Sequence, residues 1–146
     1  MRIEYEGTVA ELNTKPITAA AIVGVLRPLL AEVNMGSAPE IAKDRGVSIS
    51  ETTRDQQGIF ESYMRLTVVT ERQERSVAGT IFSDGKPRLI QVKGINLDAE
   101  FGRDMLYVTN EDKPGFIGGV GQILGGAGVN IASFNLGRKA EGEDAI

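Results

Sequence analysis

The sequence contains no cysteine, no histidine and no tryptophan, and its aromatic content is only 5%. Without cysteine there are no disulfides, no thiolate nucleophile and no thiolate metal site. The missing histidine excludes more. Histidine is the commonest general acid–base group and the commonest transition-metal ligand. A Ser-His-Asp triad, a zinc hydrolase and a histidine-assisted dehydrogenase are therefore excluded for this chain acting alone. Paired carboxylates or a lysine remain possible catalysts, but no motif marks such a site. With so few aromatics, the core has to be built from Val, Ile, Leu and Ala.

Long apolar runs are also missing, as are a signal pattern and a basic amphipathic segment. These absences predict a soluble cytoplasmic protein with no membrane partner. The formal charge is −4 and no basic footprint is present, which argues against nucleic acid as a partner. A length of 146 residues allows one domain or two small ones.

What is present reads as an α+β chain. Ile3, Tyr5, Gly7 and Val9 alternate with polar residues, a strand pattern. In ITAAAIVGVLRPLLAEV, Ile22, Val25, Leu26, Leu29, Leu30 and Val33 recur at helical spacing, with Pro28 kinking that helix or starting a new one. Ser37 with Glu40 reads as a capping box for a short helix that Gly46 stops. VSISETT reads as a strand and TTRDQQGIFES as a polar loop. From Tyr63 to Leu97 the pattern is β, with a charged turn at Arg72–Arg75, a hairpin at Asp84-Gly85, and one or two further strands in PRLIQVKGINL. This first unit covers residues 1–99.

A boundary falls at Asp98–Asp104. The second unit, 104–146, reads as the strand MLYVTN, a turn at EDKPG, a helix, and the strand VNIASFNL. Phe116, Ile117, Val120, Ile123, Leu124 and Ala127 share one face of that helix, and Gly128 ends it. Ala145 and Ile146 read as the start of a third strand, so the unit is expected to be a truncated half of a domain, too small to close its own core.

Seven glycines lie between Gly115 and Gly128. Gly119, Gly121 and Gly125 loosely match a dinucleotide fingerprint. That fingerprint needs its glycines in the strand-to-helix turn, where the phosphate meets the helix N-terminus. Here Lys113-Pro114-Gly115 makes the turn, Gly119 and Gly121 already lie within the helix, and no Gly-Lys-Ser/Thr follows. Close packing of a neighbouring backbone is the preferred explanation of these glycines.

Asp112-Lys113-Pro114-Gly115, the apolar helix and Gly128-Val129-Asn130-Ile131 together resemble an ACT domain. Upstream, ELNTKPITAAAIVGVLRPLL, SAPEIAKDRGVSISET and VAGTIFSDGKPRLIQVKGINLDAE resemble the intervening, allosteric substrate-binding domain of long-form D-3-phosphoglycerate dehydrogenases. The resemblance covers essentially the whole chain. It implies a mixed β-sheet intervening domain with helices, followed by the first βαβ half of a ferredoxin-like ACT domain.

The same resemblance implies regulation without catalysis. The missing catalytic domains of the parent enzyme would carry NAD, and no cofactor is expected in this chain. ACT domains of this family pair, and L-serine binds at the paired interface as feedback inhibitor. Carried over, Asn110, Asp112, Pro114, Gly115, Phe116 and Ile117 line the turn and helix start, and Asn130 is the asparagine supplied by the partner chain. Asp112 suits the ammonium, and the free amides near Gly115, Phe116 and Ile117 suit the carboxylate. A further anion or effector site is implied at Lys86, Arg88 and Lys93. Self-association through both units is implied as well.

Plainer readings stand beside these. Asp112 is a turn former in any fold, Asn130 can simply stabilise strand entry, and Lys86, Arg88 and Lys93 can be a solvated strand edge. Two alternatives remain at this level: a regulatory part of an iron–sulfur L-serine dehydratase β-subunit, which carries related domains, and a dimerisation module without a ligand.

Overall fold

A computed structural model of the chain describes residues 1–55 and 58–146. Strand β1, Arg2–Gly7, alternates as its sequence dictates and buries Ile3 and Tyr5 completely. Val9 does not continue the strand; Thr8–Glu11 form a 3-10 turn. Helix α1, Lys15–Leu26, opens with Pro16 in its first turn, where a missing amide costs nothing. It ends at Leu26, with Arg27 still in helical geometry and bonded to Val23, because Pro28 has no amide to carry the ladder on.

The expected continuation of this helix through Val33 is not formed, and Pro28 starts no new helix. The amides of Leu29 and Leu30 both turn back to the carbonyl of Leu26. Leu29 is thereby left 81% exposed, whereas Val33 is buried. Ile22, Val23, Leu26 and Val33 form one cluster with Ala38 and Ala42 of α2, Ala38–Asp44. Each fully buried aliphatic side chain contributes about 1.5–3 kcal/mol.

The capping box expected at Ser37 is absent, since Ser37 makes no side-chain cap bond. Asn34 organises this turn instead, its Oδ1 accepting from the amides of Gly36 and Ser37 at 3.0 and 3.1 Å. At the other end Gly46, with φ 70°, closes α2: its amide reaches Lys43, and the next amide, Val47, reaches Ala42. That is a Schellman stop.

Strands β2 (Ser50–Arg54), β3 (Ser62–Val69), β4 (Glu74–Ile81), β5 (Pro87–Val92) and β6 (Ile95–Glu100) complete a sheet in the order β2-β1-β3-β4-β5-β6. Among the described residues only β1 and β2 pair in parallel, and α1 and α2 supply the crossover that a parallel pair needs. The stretch read as a loop, Thr52–Ser62, gives its first residues to β2 and its last to β3; Gln56 and Gln57 lie outside the described residues. The charged turn lies slightly earlier than expected, with Thr70 receiving and donating bonds to Gln73 while Glu74 already opens β4.

Both later hairpins follow local chemistry. At Asp84-Gly85, Gly85 has φ 77° and Asp84 Oδ1 accepts from the Lys86 amide at 2.8 Å. At Lys93-Gly94 both residues have positive φ, 52° and 78°, between the paired Val92 and Ile95. This two-residue turn splits PRLIQVKGINL into two strands.

The second unit departs from expectation. MLYVTN yields only β7, Asn110–Glu111, paired with β8, Asp144–Ala145. VNIASFNL is not a strand. Among the described residues, neither Met105–Thr109 nor Ile131–Leu136 forms a backbone hydrogen bond. A β pattern in sequence becomes a strand only where a neighbouring strand accepts its ladder, and no such neighbour reaches these segments.

Helix α3, Phe116–Gly126, forms where the apolar period places it. Gly115 caps its start in the left-handed region at φ 90°, and a Schellman pair, Gly128 to Gly125 and Val129 to Leu124, ends it. No residue of α3 is buried. The close packing expected of its glycines is absent, since a Cβ added at Gly118, Gly119, Gly121, Gly125 or Gly126 would meet nothing within 4 Å.

Candidate functional site

The polar residues of the second unit gather around a short β ribbon. Ala145 pairs with Asn110 on one side and bridges to Arg138 on the other. Gly137 and Ile146 exchange both backbone bonds at 2.9 Å, so residues 137–146 form a hairpin that brings Arg138 beside Asp112. The Asp112 amide donates to the Glu143 carbonyl at 2.8 Å, fixing the turn before α3.

Asp112 and Arg138 then meet directly. Arg138 Nη1 donates to Asp112 Oδ2 at 2.6 Å. The bond and the charge of Asp112 hold the Arg138 guanidinium above its ordinary pKa. Lys113 pairs with Glu111 on the strand beside it, and its hydrogen bond and charge lower the Glu111 carboxyl below the usual range. Asn110 donates from Nδ2 to the Glu111 carbonyl at 2.7 Å, while its Oδ1 is buried without a partner. An oxygen acceptor is thus held in place with nothing to accept from.

Pro114 and Gly115 make the turn. The amides of Gly115, Ile117 and Gly118 have no backbone acceptor, and that of Phe116 reaches the Lys113 carbonyl only at 3.5 Å. Asn110, Asp112, Pro114, Gly115, Phe116 and Ile117 are therefore contiguous around the start of α3. Asn130 is exposed beyond the far end of the helix. A helix of 11 residues is about 16 Å long, so Asn130 is remote from Asp112 of its own chain.

The residues of the suggested anion site do not converge. Arg88 sits among three carboxylates, with Nη2 at 2.9 Å from Glu100 and 3.5 Å from Asp84, and Nε at 3.7 Å from Asp98. Its guanidinium stacks on Phe82 at 4.9 Å from the ring centroid. An anion approaching Arg88 meets more negative than positive charge. Lys86 is exposed at the start of β5, and Lys93 turns at its other end, about 20 Å away along the strand.

Sequence reasoning missed two features. Arg138 lies 26 positions from Asp112, and no spacing rule links them. The other is a cleft of about 670 Å³ on the open side of the sheet, lined in part by Arg54, Tyr63, Arg65, Gln91 and Asn96. There Arg65 Nη2 donates to Gln91 Oε1 at 3.1 Å, and Gln91 donates on to Asn96 at 3.0 Å. Burial, partly offset by Arg65, raises the Tyr63 phenol.

The stretch around α3 does not have the geometry of the dinucleotide fingerprint. The strand before α3 is two residues long, and Gly119 and Gly121 lie inside the helix rather than in the turn. Among the described residues no helix is long and apolar enough to cross a membrane.

Residues 1–93 match the family model described as the D-3-phosphoglycerate dehydrogenase intervening domain. The chain is 35% identical over 145 residues to D-3-phosphoglycerate dehydrogenase of Bacillus subtilis, covering 99% of this chain and 28% of that protein. It is 35% identical to the Synechocystis protein of the same name over 97% of this chain and 26% of that protein. For the Methanocaldococcus jannaschii protein the identity is 32%, over 97% of this chain and 27% of that protein. The matches run beyond the intervening domain through the hairpin that carries Arg138, although the chain spans little more than a quarter of each relative. On this sequence and this sheet, the chain belongs to the D-3-phosphoglycerate dehydrogenase intervening-domain family.

Proposed function

We propose that this chain is the regulatory, non-catalytic part of a D-3-phosphoglycerate dehydrogenase. Domains outside this chain would oxidise 3-phosphoglycerate with NAD, the first step of L-serine biosynthesis, in the cytoplasm. The intervening unit and the ACT-like unit would hold the oligomer together, and the ACT-like unit would sense L-serine.

The observation that carries the reading is the arrangement at the start of α3. A sheltered carboxylate, an unsatisfied Asn110 oxygen and unpartnered amides all fall within residues 110–118, from β7 into the start of α3. An α-amino acid offers the complement: an ammonium for Asp112 and Asn110 Oδ1, and a carboxylate for the amides at the positive end of the helix. Asn130 stands a helix length away, so a second copy would have to supply it. The uncovered apolar face of α3 and the unpaired segments beside it give that copy a surface to cover.

The test is calorimetric titration of L-serine into the full-length protein, alongside inhibition of its dehydrogenase activity. Asp112→Ala removes a charged hydrogen bond and is expected to weaken serine about ten- to hundredfold, with activity in the absence of serine unchanged. No heat with millimolar serine and no inhibition, both in the wild type and in Arg138→Gln, where the Asp112 carboxylate is freed, would refute the sensing role.

A further inference from the structure

Arg138 occupies the carboxylate that the proposed effector would need. We propose that Arg138 is an internal competitor for the ammonium of the amino-acid ligand, setting how much ligand is required to fill the site. This inference rests on the amino-acid-sensing reading of the Asp112 turn and concerns the regulation of that same site.

The geometry supports displacement rather than a permanent structural bond. The contact is made through one guanidinium nitrogen at 2.6 Å, not through a two-pronged pair. The side chain of Asp112 is 18% exposed and that of Arg138 is 54% exposed. The carboxylate is therefore the sheltered member of the pair and the guanidinium the exposed one. Both backbones are held independently of the pair: Asp112 by its amide bond to Glu143, Arg138 by the Gly137–Ile146 exchange and the bridge to Ala145. Opening the site needs only rotation of a flexible side chain already half in water.

An ammonium and a guanidinium satisfy a carboxylate in the same way, with charged N–H donors. Two cations on one sheltered carboxylate repel each other, so Arg138 on Asp112 Oδ2 weakens the hold of the same carboxylate on a ligand ammonium. The surrounding charges do not duplicate the role. Lys113 is engaged with Glu111, and Lys139 lies 3.8 Å from Asp144. Glu141 also raises the Arg138 guanidinium and gives it a nearby negative group when it is displaced.

The experiment compares the wild-type full-length protein with Arg138→Gln and Arg138→Lys by calorimetry, using two probes: L-serine, and ethanolamine as an ammonium without a carboxylate. Removing the competitor is expected to tighten both probes about two- to fivefold in Arg138→Gln, the range an exposed ion pair is worth. Arg138→Lys keeps the charge and is expected to stay near the wild type. Binding of serine to Arg138→Gln but not to the wild type also supports the competitor. If the wild type binds serine and Arg138→Gln binds it equally or more weakly, the competitor role is overturned while the sensing role survives. Weaker serine with unchanged ethanolamine would give Arg138 to the ligand carboxylate instead. If neither protein binds serine, both readings fall.

Discussion

The phenol of Tyr5 donates to the hydroxyl of Thr18 at 2.7 Å inside the first unit. Its direction follows from the next link, because Thr18 spends its own proton on Glu51 Oε1 at 2.5 Å. One hydrogen-bonded chain thus joins β1, α1 and β2, the two parallel strands and the helix that crosses between them. Tyr5 is fully buried and Thr18 nearly so, so neither can exchange this partner for water.

Thr18→Val is therefore expected to destabilise the protein by about 1–3 kcal/mol, because it orphans the buried Tyr5 hydroxyl. Tyr5→Phe removes the donor itself and is expected to cost less, about 0.5–1.5 kcal/mol. In urea unfolding, a double variant no worse than Thr18→Val alone would confirm the coupling, whereas full additivity would refute it.

The same tyrosine gives a pH dependence. Burial raises the Tyr5 phenol above its ordinary 10.0, with the Thr18 bond partly offsetting this and Glu51 adding to the rise. A raised folded value means the folded state holds its proton longer than the unfolded chain. The contribution is complete below pH 10.0 and is lost as the pH rises through the folded value. Unfolding midpoints measured across the alkaline range should fall less steeply for Tyr5→Phe than for the wild type. Equal slopes would contradict the burial argument.

Gly137→Ala should detach the hairpin that carries Arg138. An added Cβ would lie 2.6 Å from the Asn96 carbonyl oxygen and 2.8 Å from Ile95 Cγ2, and Ile95 is itself buried. Overpacking of this kind costs about 1–3 kcal/mol. The expected signature is faster amide exchange at Gly137 and Ile146 with strands β1 and β3 still protected. Unchanged protection at both amides would count against this contact.

Arg88→Ala should destabilise the β5–β6 hairpin. Asp84, Asp98 and Glu100 would be left facing one another, and the stack on Phe82 would be lost. The cost is set by the Arg88 side chain, which is only 11% exposed, and is expected to be about 2–4 kcal/mol by thermal or urea unfolding. A change under about 0.5 kcal/mol would place Arg88 among ordinary surface residues.

Several elements were legible because their causes are local. The alternation of Ile3 and Tyr5, the Asp84-Gly85 turn, the glycine stops at Gly46 and Gly128, and the Pro114-Gly115 start of α3 each follow from a few adjacent residues. Errors arose where one local rule competed with another. Ser37 and Glu40 fit a capping box, yet the Asn34 carboxamide took the free amides first. Leu29 and Leu30 extended the helical period, yet Pro28 ended the helix.

Of the candidate site, the turn and helix start could be read from Asp112 through Ile117, because contiguity in sequence is contiguity in space there. Their electrostatic partners could not. Arg138 reaches Asp112 only because Ala145 pairs with Asn110 and Arg138 at once, and Arg88 meets Asp98 and Glu100 only because β6 folds back along β5.

By itself, then, the sequence determined the turns, the helix stops and the alternation of the first strand, since φ preferences and side-chain periodicity act within a few residues. Tertiary structure alone decided which β-patterned segments became strands and which charges were neutralised. Met105–Thr109 carries a strand pattern as clear as Arg2–Gly7, but a strand exists only with a neighbour to complete its hydrogen bonds, and pairing is a property of the assembled fold.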